Sequence, residues 1–383
     1  MQRTVKDLLV DIKNTTELIV DLAYSALLFD MEDIAEEVLD LEDKILDLLQ
    51  ELRFLAIVST RSRDVARSLS PLLQIGSASQ RIGNAAGDIA TLVLRGFKLQ
   101  RDIVNAIVNR LEETIVKTVV SEDSEVANRT LGDVKLHTKT GMRVIAIKRG
   151  FEWVFNPNRD TKVLVGDILF ARGDVSGVSR FYEMTTGRHI EVEMRDIEVE
   201  GLDKAIDIIA DMKNLSELAV DLSYSSILYH NEDIAQEVAY LEERIDNMKF
   251  DLQFWVLKCS GKFEAKPLIA LLELAYSSEQ IADSAREIAE IVLQGMDVHP
   301  ILFHAMKETD EIITMIDVKE SSKLNGKTLG EARVETNTGM HVIAVKRGKK
   351  WVTKPNAGTR IFAGDVLIAK GTRESEKLLR DLC

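Results

Sequence analysis

Cysteine is nearly missing from this chain: two residues, Cys259 and Cys383, among 383. They lie far apart and match no metal-ligand spacing, so neither a disulfide framework nor a zinc site is encoded, and a reducing, cytoplasmic setting is expected. Cys259 reads as a small buried hydrophobe and Cys383 as part of a frayed terminus. Prolines number five, which lets helices run long. No apolar run approaches the roughly 18–20 residues of a membrane span, and the opening MQRTVKDLLVDIKN lacks a signal-peptide core. Direct membrane insertion is therefore not expected. Positive charge is in deficit, with a net charge of −14. Such a chain repels phosphate backbones, and no basic stripe with interleaved aromatics offsets this, so nucleic acid is not an expected partner. The six histidines (His137, His189, His230, His299, His304, His341) form no HExxH or paired spacing, and no serine sits in a Gly-x-Ser-x-Gly elbow. No nucleophile stands beside a base in any known pattern, so no enzyme is expected.

What is present is written twice. Asp11 to Ile45 (DIKNTTELIVDLAYSALLFDMEDIAEEVLDLEDKI) aligns without a gap to Asp211 to Ile245 (DMKNLSELAVDLSYSSILYHNEDIAQEVAYLEERI), with 20 identities in 35 positions. Thr130 to Pro157 (TLGDVKLHTKTGMRVIAIKRGFEWVFNP) repeats as Thr328 to Pro355 (TLGEARVETNTGMHVIAVKRGKKWVTKP). Solenoid repeats run roughly 20–50 residues, and this period is far longer. It has the size of a domain pair, so one polypeptide is expected to build a pseudo-symmetric dimer.

Two kinds of segment alternate. Residues 4–113 carry apolar positions at three- and four-residue spacing, as in EDIAEEVLDLEDKILDLLQELRFLAIV from Glu32 to Val58, and predict a bundle of long antiparallel helices. Leu18 and Leu22 mark one stripe of the first helix; Val20, Tyr24, Leu27 and Leu28 mark another. Residues 115–183 read as a small α+β domain. A strand is expected at Ile115–Val120, a short helix after Thr130, and a hairpin of Met142–Lys148 with Phe151–Phe155. A further strand is expected at Ile168–Ala171. The fold class is thus α+β multidomain. The boundaries are a helical bundle over 1–114, an α+β domain over 115–185, a linker over 186–202, a second bundle over 203–312 and a second α+β domain over 313–383. The alternating stretch His189–Glu200 is expected to be a strand or an extended linker.

These residues carry two resemblances. The helical segments resemble the PhoU family of bundle proteins, regulators of phosphate uptake and signalling. The best-matching stretch is LAYSSEQIADSAREIA from Leu274, whose Glu279 and Asp283 supply that family's Glu-x-x-x-Asp motif. The first copy has Gln80 and Asn84 there instead. The α+β segments resemble the TrkA C-terminal (RCK-C) domain, a ligand-binding module of potassium-transport regulators. Thr130-Leu-Gly132, Gly141, Val144 to Arg149, Trp153, Asn156-Pro157 and Gly166-Asp167 carry this match, and Thr328-Leu-Gly330, Gly339, Val342 to Arg347, Trp351, Pro355-Asn356 and Gly364-Asp365 repeat it. No Gly-x-Gly-x-x-Gly opens a helix after a strand, so the Rossmann domain usual in TrkA-type regulators is not expected. Gly83 and Gly87 lie in a helical run and read as close-packing positions.

Two sets of residues could carry chemistry. Glu17 and Asp21, like Glu217 and Asp221, are one helical turn apart and fall among apolar residues. With Glu279 and Asp283 from the PhoU resemblance, and Glu287 beside them, they either hold a divalent metal or are solvated surface carboxylates. Lys148 and Arg149, with Lys346 and Arg347, either form a basic lip for an anionic ligand or are polar hairpin turns. The TrkA-C resemblance implies cyclic di-AMP or a similar cyclic di-nucleotide as effector, with Asn156 and Asn356 among its contacts. Trp153 and Trp351 read as core or interface residues. The resemblances together imply a non-enzymatic regulator of ion transport, most of all of potassium, related to archaeal and bacterial potassium-channel regulators. Its expected partners are a membrane ion channel or transporter and a small anionic effector, and it would act as a homodimer or an intramolecular pseudo-dimer. The alternatives are a regulator of phosphate uptake, or a metal-binding bundle whose small domains only dimerise.

Overall fold

A computed structural model of the chain describes residues 3–111, 113–173, 175–189, 199, 201–309 and 311–383. Most of the stretch His189–Glu200 lies outside the described residues. The first copy comprises helices α1 (Val5–Phe29), α2 (Glu32–Ser59), α3 (Arg63–Leu94) and α4 (Arg101–Val108). Then come β1 (Thr114–Val119), α5 (Leu131–Val134), α6 (Leu136–Thr140), β2 (Met142–Arg149), β3 (Glu152–Phe155), β4 (Ile168–Gly173) and α7 (Val178–Thr186). The second copy repeats them as α8 (Asp203–Leu228), α9 (Glu232–Lys258), α10 (Ala265–Leu293) and α11 (Ile301–Met306). Its strand-rich part is β5 (Ile312–Asp317), α12 (Leu329–Ala332), α13 (Val334–Thr338), β6 (His341–Arg347), β7 (Lys350–Val352), β8 (Asp365–Gly371) and α14 (Arg373–Leu382).

Like pairs with like. The helical halves form one unit (residues 1–111 and 195–309) and the strand-rich halves another (112–194 and 310–383). In the helical unit, α1 begins at a capping box in which the Thr4 hydroxyl accepts from the Asp7 amide and the Asp7 carboxylate from the Thr4 amide. Almost every residue of α1 from Lys13 to Leu28 is buried, as are most of Met212 to Ile227 on α8. A helix enclosed on all sides needs no polar face, which is why α1 displays two apolar stripes. Helix α2 is an outer helix with one inward stripe, including Ile34, Val38, Leu41, Ile45, Leu48, Leu49 and Leu52. It lies close on α3: a Cβ added to Gly83 would stand 3.1 Å from the Ile45 side chain. Gly83 is therefore a close-packing position, as expected, and at Gly87 an added Cβ would collide with the Glu42 carboxylate.

Helices α3 and α10 join the two bundles and run antiparallel. The Gln74 amide donates to the Glu287 carbonyl at 2.6 Å, Arg81 pairs with the Glu287 carboxylate, and the His299 amide reaches the Ser68 carbonyl. At the far end, the Lys266 ammonium sits over the Phe97 ring. Cys259 is buried and donates to the Gly201 carbonyl, while Cys383 is part-buried.

Each strand-rich module is a four-stranded antiparallel sheet, ordered β1-β4-β2-β3 in the first and β5-β8-β6-β7 in the second. Strand β4 lies between β1 and β2, pairing Thr114 with Gly173 on one side and Met142 with Gly173 on the other. A bulge interrupts the β2–β4 register between Val144 and Ala146, and β6 repeats it between Val342 and Ala344. Helix α7 closes one face, placing Phe181 and Met184 on Val116, Val144, Ile147 and Leu169. Helix α14 supplies Leu379 to the corresponding core.

Candidate functional site

A cavity of about 250 Å³ opens where the two strand-rich modules meet. Thr140, Gly141 and Ser176 line it from the first module, and Gly330, Arg333, Glu335, His341 and Asn356 from the second. Local sequence builds each wall. Thr328 caps α12 through a capping box with Glu331, and Arg333 then takes a left-handed conformation, φ 46°, that breaks the chain into α13. The turn leaves Arg333 exposed at the mouth. The Thr-Gly turn of each copy supplies the approach between modules. Gly339 has φ 72°, and a Cβ there would lie 3.6 Å from the His137 ring of the first module and 2.8 Å from the Ser375 hydroxyl of its own. His341 stands 3.5 Å from Glu335. The cavity thus offers cationic, amide and hydroxyl groups beside an apolar wall of Leu329, Met340 and Val342, the mixture that holds a polar, flat ligand.

An ionic network ties the modules together next to this cavity. Glu311 forms ion pairs with Arg143 at 2.6 Å and with Lys370 at 3.3 Å, and accepts a hydrogen bond from Arg172 at 3.0 Å. Arg172 also reaches Glu113 at 3.2 Å. His137 adjoins the network, and burial together with the charges of Arg143 and Arg172 pushes its pKa down to about 4.

The basic residues expected to form a lip are elsewhere. Arg149 donates through Nε and Nη2 to Asp167, which is 2% exposed, and caps the Lys162 carbonyl. Arg347 does the same with Asp365 and the Arg360 carbonyl. These arginines clamp a sheet edge to the following loop, and the buried aspartates hold their pKa values up. Lys148 and Lys346 lie over the rings of Trp153 and Trp351, at 5.4 and 5.7 Å. Of the six, only Asn356 reaches the cavity. Asn156 is not its counterpart. The residue equivalent to Asn356 is Asn158: the amide of each accepts a local backbone N–H (from Asp160 and from Gly358), and each backbone N–H bonds a threonine three residues on. The constant spacing between the copies of this module pairs 158 with 356 and could have identified it. Arg333 and His341 were also missed, since each copy puts a different residue there (Lys135 and Arg143).

In the helical unit, the carboxylates read as a metal set meet lysines of the chain itself. Lys13 Nζ lies 2.9 Å from Glu17, and Lys213 Nζ 2.7 Å from Glu217. Both lysines are buried, and each also faces a tyrosine ring of the other copy, Lys13 over Tyr224 and Lys213 over Tyr24. Asp21 and Asp221 are buried as well. The charge compensation sought in a metal is supplied by a lysine one turn earlier. Glu279 bonds Lys249 at 2.7 Å, and Asp283 is exposed, with its pKa raised to about 6 by desolvation and by Glu279, Glu242 and Asp246. Glu242 is paired with Arg286, and Glu287 with Arg81. Among the described residues no group of three or more histidine, cysteine or acidic side chains is placed to hold a metal ion.

The TrkA-C domain model matches residues 115–186 and 313–383, and the PhoU domain model matches residues 9–93 and 209–292. Potassium channel protein 1 of Methanocaldococcus jannaschii is 29% identical over 109 residues, 26% of this chain and 33% of that protein. The phosphate-specific transport system accessory protein PhoU homolog 2 of Thermotoga maritima is 34% identical over 84 residues, 21% of this chain and 36% of that protein. Ktr system potassium uptake protein C of Bacillus subtilis is 36% identical over 70 residues, 18% of this chain and 31% of that protein. The chain spans about a third of the length of each of these relatives.

Proposed function

We propose that this tandem of two PhoU domains and two TrkA-C domains is a cytoplasmic, non-enzymatic regulator of potassium transport. It senses a small anionic effector between its TrkA-C modules and relays the change through its PhoU bundles to a membrane channel or transporter. The observation that carries the reading is the cavity where the modules meet, which carries Arg333, His341 and Asn356. A cyclic di-nucleotide suits it: a phosphate pairs with the guanidinium, the imidazole and amide address the base edges, and the apolar wall takes the base face. Both modules contribute to the wall, so a bound ligand favours one packing of the pair over another, and differential affinity for two packings is what a switch requires. Two of the relatives are named for potassium channels or potassium uptake. The acidic surface steers the chain toward a basic partner face.

A second reading, regulation of phosphate uptake, is favoured by the likeness of the helical part to a PhoU homologue. Uptake of radioactive rubidium and of phosphate, measured in cells with and without this chain, separates the two. The first reading predicts altered rubidium uptake with phosphate uptake unchanged. The reverse pattern overturns it in favour of the second.

A further inference from the structure

Helix α2 carries two apolar stripes. One faces the bundle through Leu52 and Ala56. The other faces water: Phe54, Ile57 and Val58 are 64%, 72% and 64% exposed. Their spacing, i, i+3 and i+4, places them on one side of the last turns, so they form a coherent patch at the tip of the α2–α3 hairpin. Scattered exposed apolar residues need no explanation, but a grouped set does.

Between positions 53 and 67 stand Arg53, Arg61, Arg63 and Arg67 with Asp64 as the only acid, a local charge of +3 in a chain of −14. All four arginines are exposed. Arg53 reaches Ser77, and Arg67 lies 4.0 Å from Asp64. The tip thus exposes an apolar cluster with cationic side chains around it. The second copy keeps the apolar part, with Phe250, Phe254 and Leu257 exposed, and has Gln253 and Gly261 where the first has Arg53 and Arg61; its equivalent window, 253–267, carries Lys258, Lys262 and Lys266 against Glu264, so its surround is cationic too but less so and holds no arginine. Because α3 and α10 run antiparallel, the two tips lie at opposite ends of the helical unit, so one flat surface meets one tip.

We propose that the α2–α3 tip is a docking site for the headgroup layer of an anionic lipid bilayer. Apolar side chains ringed by arginine match an interfacial membrane site, where the crest enters the acyl boundary and the cations meet lipid phosphates. An anionic headgroup layer offers both things the tip lacks, phosphates for the arginines and an acyl boundary for the exposed Phe54, Ile57 and Val58, and repulsion from acidic residues more than a Debye length from the surface is screened. No described helix is long and apolar enough to cross a membrane, and surface docking requires none. The site would hold the regulator near the membrane whether or not an effector is sensed between the TrkA-C modules.

The test is co-sedimentation of the full chain with vesicles of equimolar phosphatidylglycerol and phosphatidylcholine, and with vesicles of phosphatidylcholine alone. Binding is expected to the first only and to weaken with added salt. The double variant Arg61→Gln/Arg63→Gln should bind roughly thirtyfold more weakly, taking about 1 kcal/mol per arginine at an anionic surface. Phe54→Ser/Ile57→Ser should also release the chain, and Phe254→Ser/Leu257→Ser should retain most of the binding. All six positions are exposed, and an unchanged melting temperature verifies that each variant is folded. Equal binding to both vesicle types, binding indifferent to the first two variants, or no binding overturns the proposal. In the last case, loss of self-association in Phe54→Ser/Ile57→Ser would assign the patch to a second copy of the chain.

Discussion

The hydroxyl of Tyr24 lies 3.0 Å from that of Ser278, and in the other direction the hydroxyl of Tyr224 lies 3.2 Å from that of Ser79. Each bundle thus donates a buried tyrosine to the α3-type helix of the other, and each tyrosine ring sits beneath the partner copy's lysine. Burial pushes both phenol pKa values up, so neither ionises in the working range. Replacing Tyr24 with Phe should cost about 1 kcal/mol, the net worth of one such bond. A urea denaturation series checks this, and an unchanged midpoint would show that the bond contributes nothing.

The Arg347–Asp365 clamp should matter more. Asp365 is 1% exposed and accepts from the guanidinium twice and from the Phe362 amide. Asp365 is buried but the Arg347 side chain is 43% exposed, so water takes part of the guanidinium's place in Arg347→Ala, and the change should cost about 2 kcal/mol, the scale of hydrogen bonds to a charged group. The same change at Lys346, which rests over the Trp351 ring, should cost less than about 1 kcal/mol. Melting of the two variants ranks them.

Two groups should shape the pH dependence in opposite directions. His137 is held near pKa 4 in the fold against an ordinary 6.5. The unfolded chain therefore takes its proton first, and stability falls as pH drops from 6.5 toward 4. Asp283 is raised to about 6 against an ordinary 3.8. There the fold takes the proton first, so its contribution is present at low pH and is lost as pH rises from 3.8 through 6. Melting curves of His137→Gln and Asp283→Asn against the parent should show differences of opposite slope across this window. The groups facing Asp283 are Glu279, Glu242, Asp246, Arg81 and Arg286.

With Lys13 and Lys213 compensating the buried carboxylates, a chelator should leave the melting temperature unchanged, and added calcium or manganese should not raise it. A rise in melting temperature with either metal would contradict the reading of these residues as ion pairs.

Much of this was legible in the sequence, for physical reasons. The duplication, the long helices and the VIAIKR and VIAVKR strands all rest on local periodicity, which survives folding intact. The insertion of β4 between β1 and β2 was not legible, because strand order is set by pairing across distant segments. Nor was the partnership of Arg149 with Asp167, eighteen residues apart: a Lys-Arg-Gly turn looks solvated until the buried carboxylate beneath it is seen. Glu17 and Asp21 posed the reverse problem. Helical projection of their counterparts Glu217 and Asp221 pointed to partial burial, yet the lysine one turn earlier in each copy, Lys13 and Lys213, was overlooked as the cation beside them.

The most direct test of the sensing account is calorimetric titration of the intact chain with cyclic di-AMP. The account predicts saturable binding of one molecule per chain that is lost in Arg333→Ala and weakened in Asn356→Ala, with the Arg149→Ala chain still binding. No heat, or heat unaltered by Arg333→Ala, would contradict it.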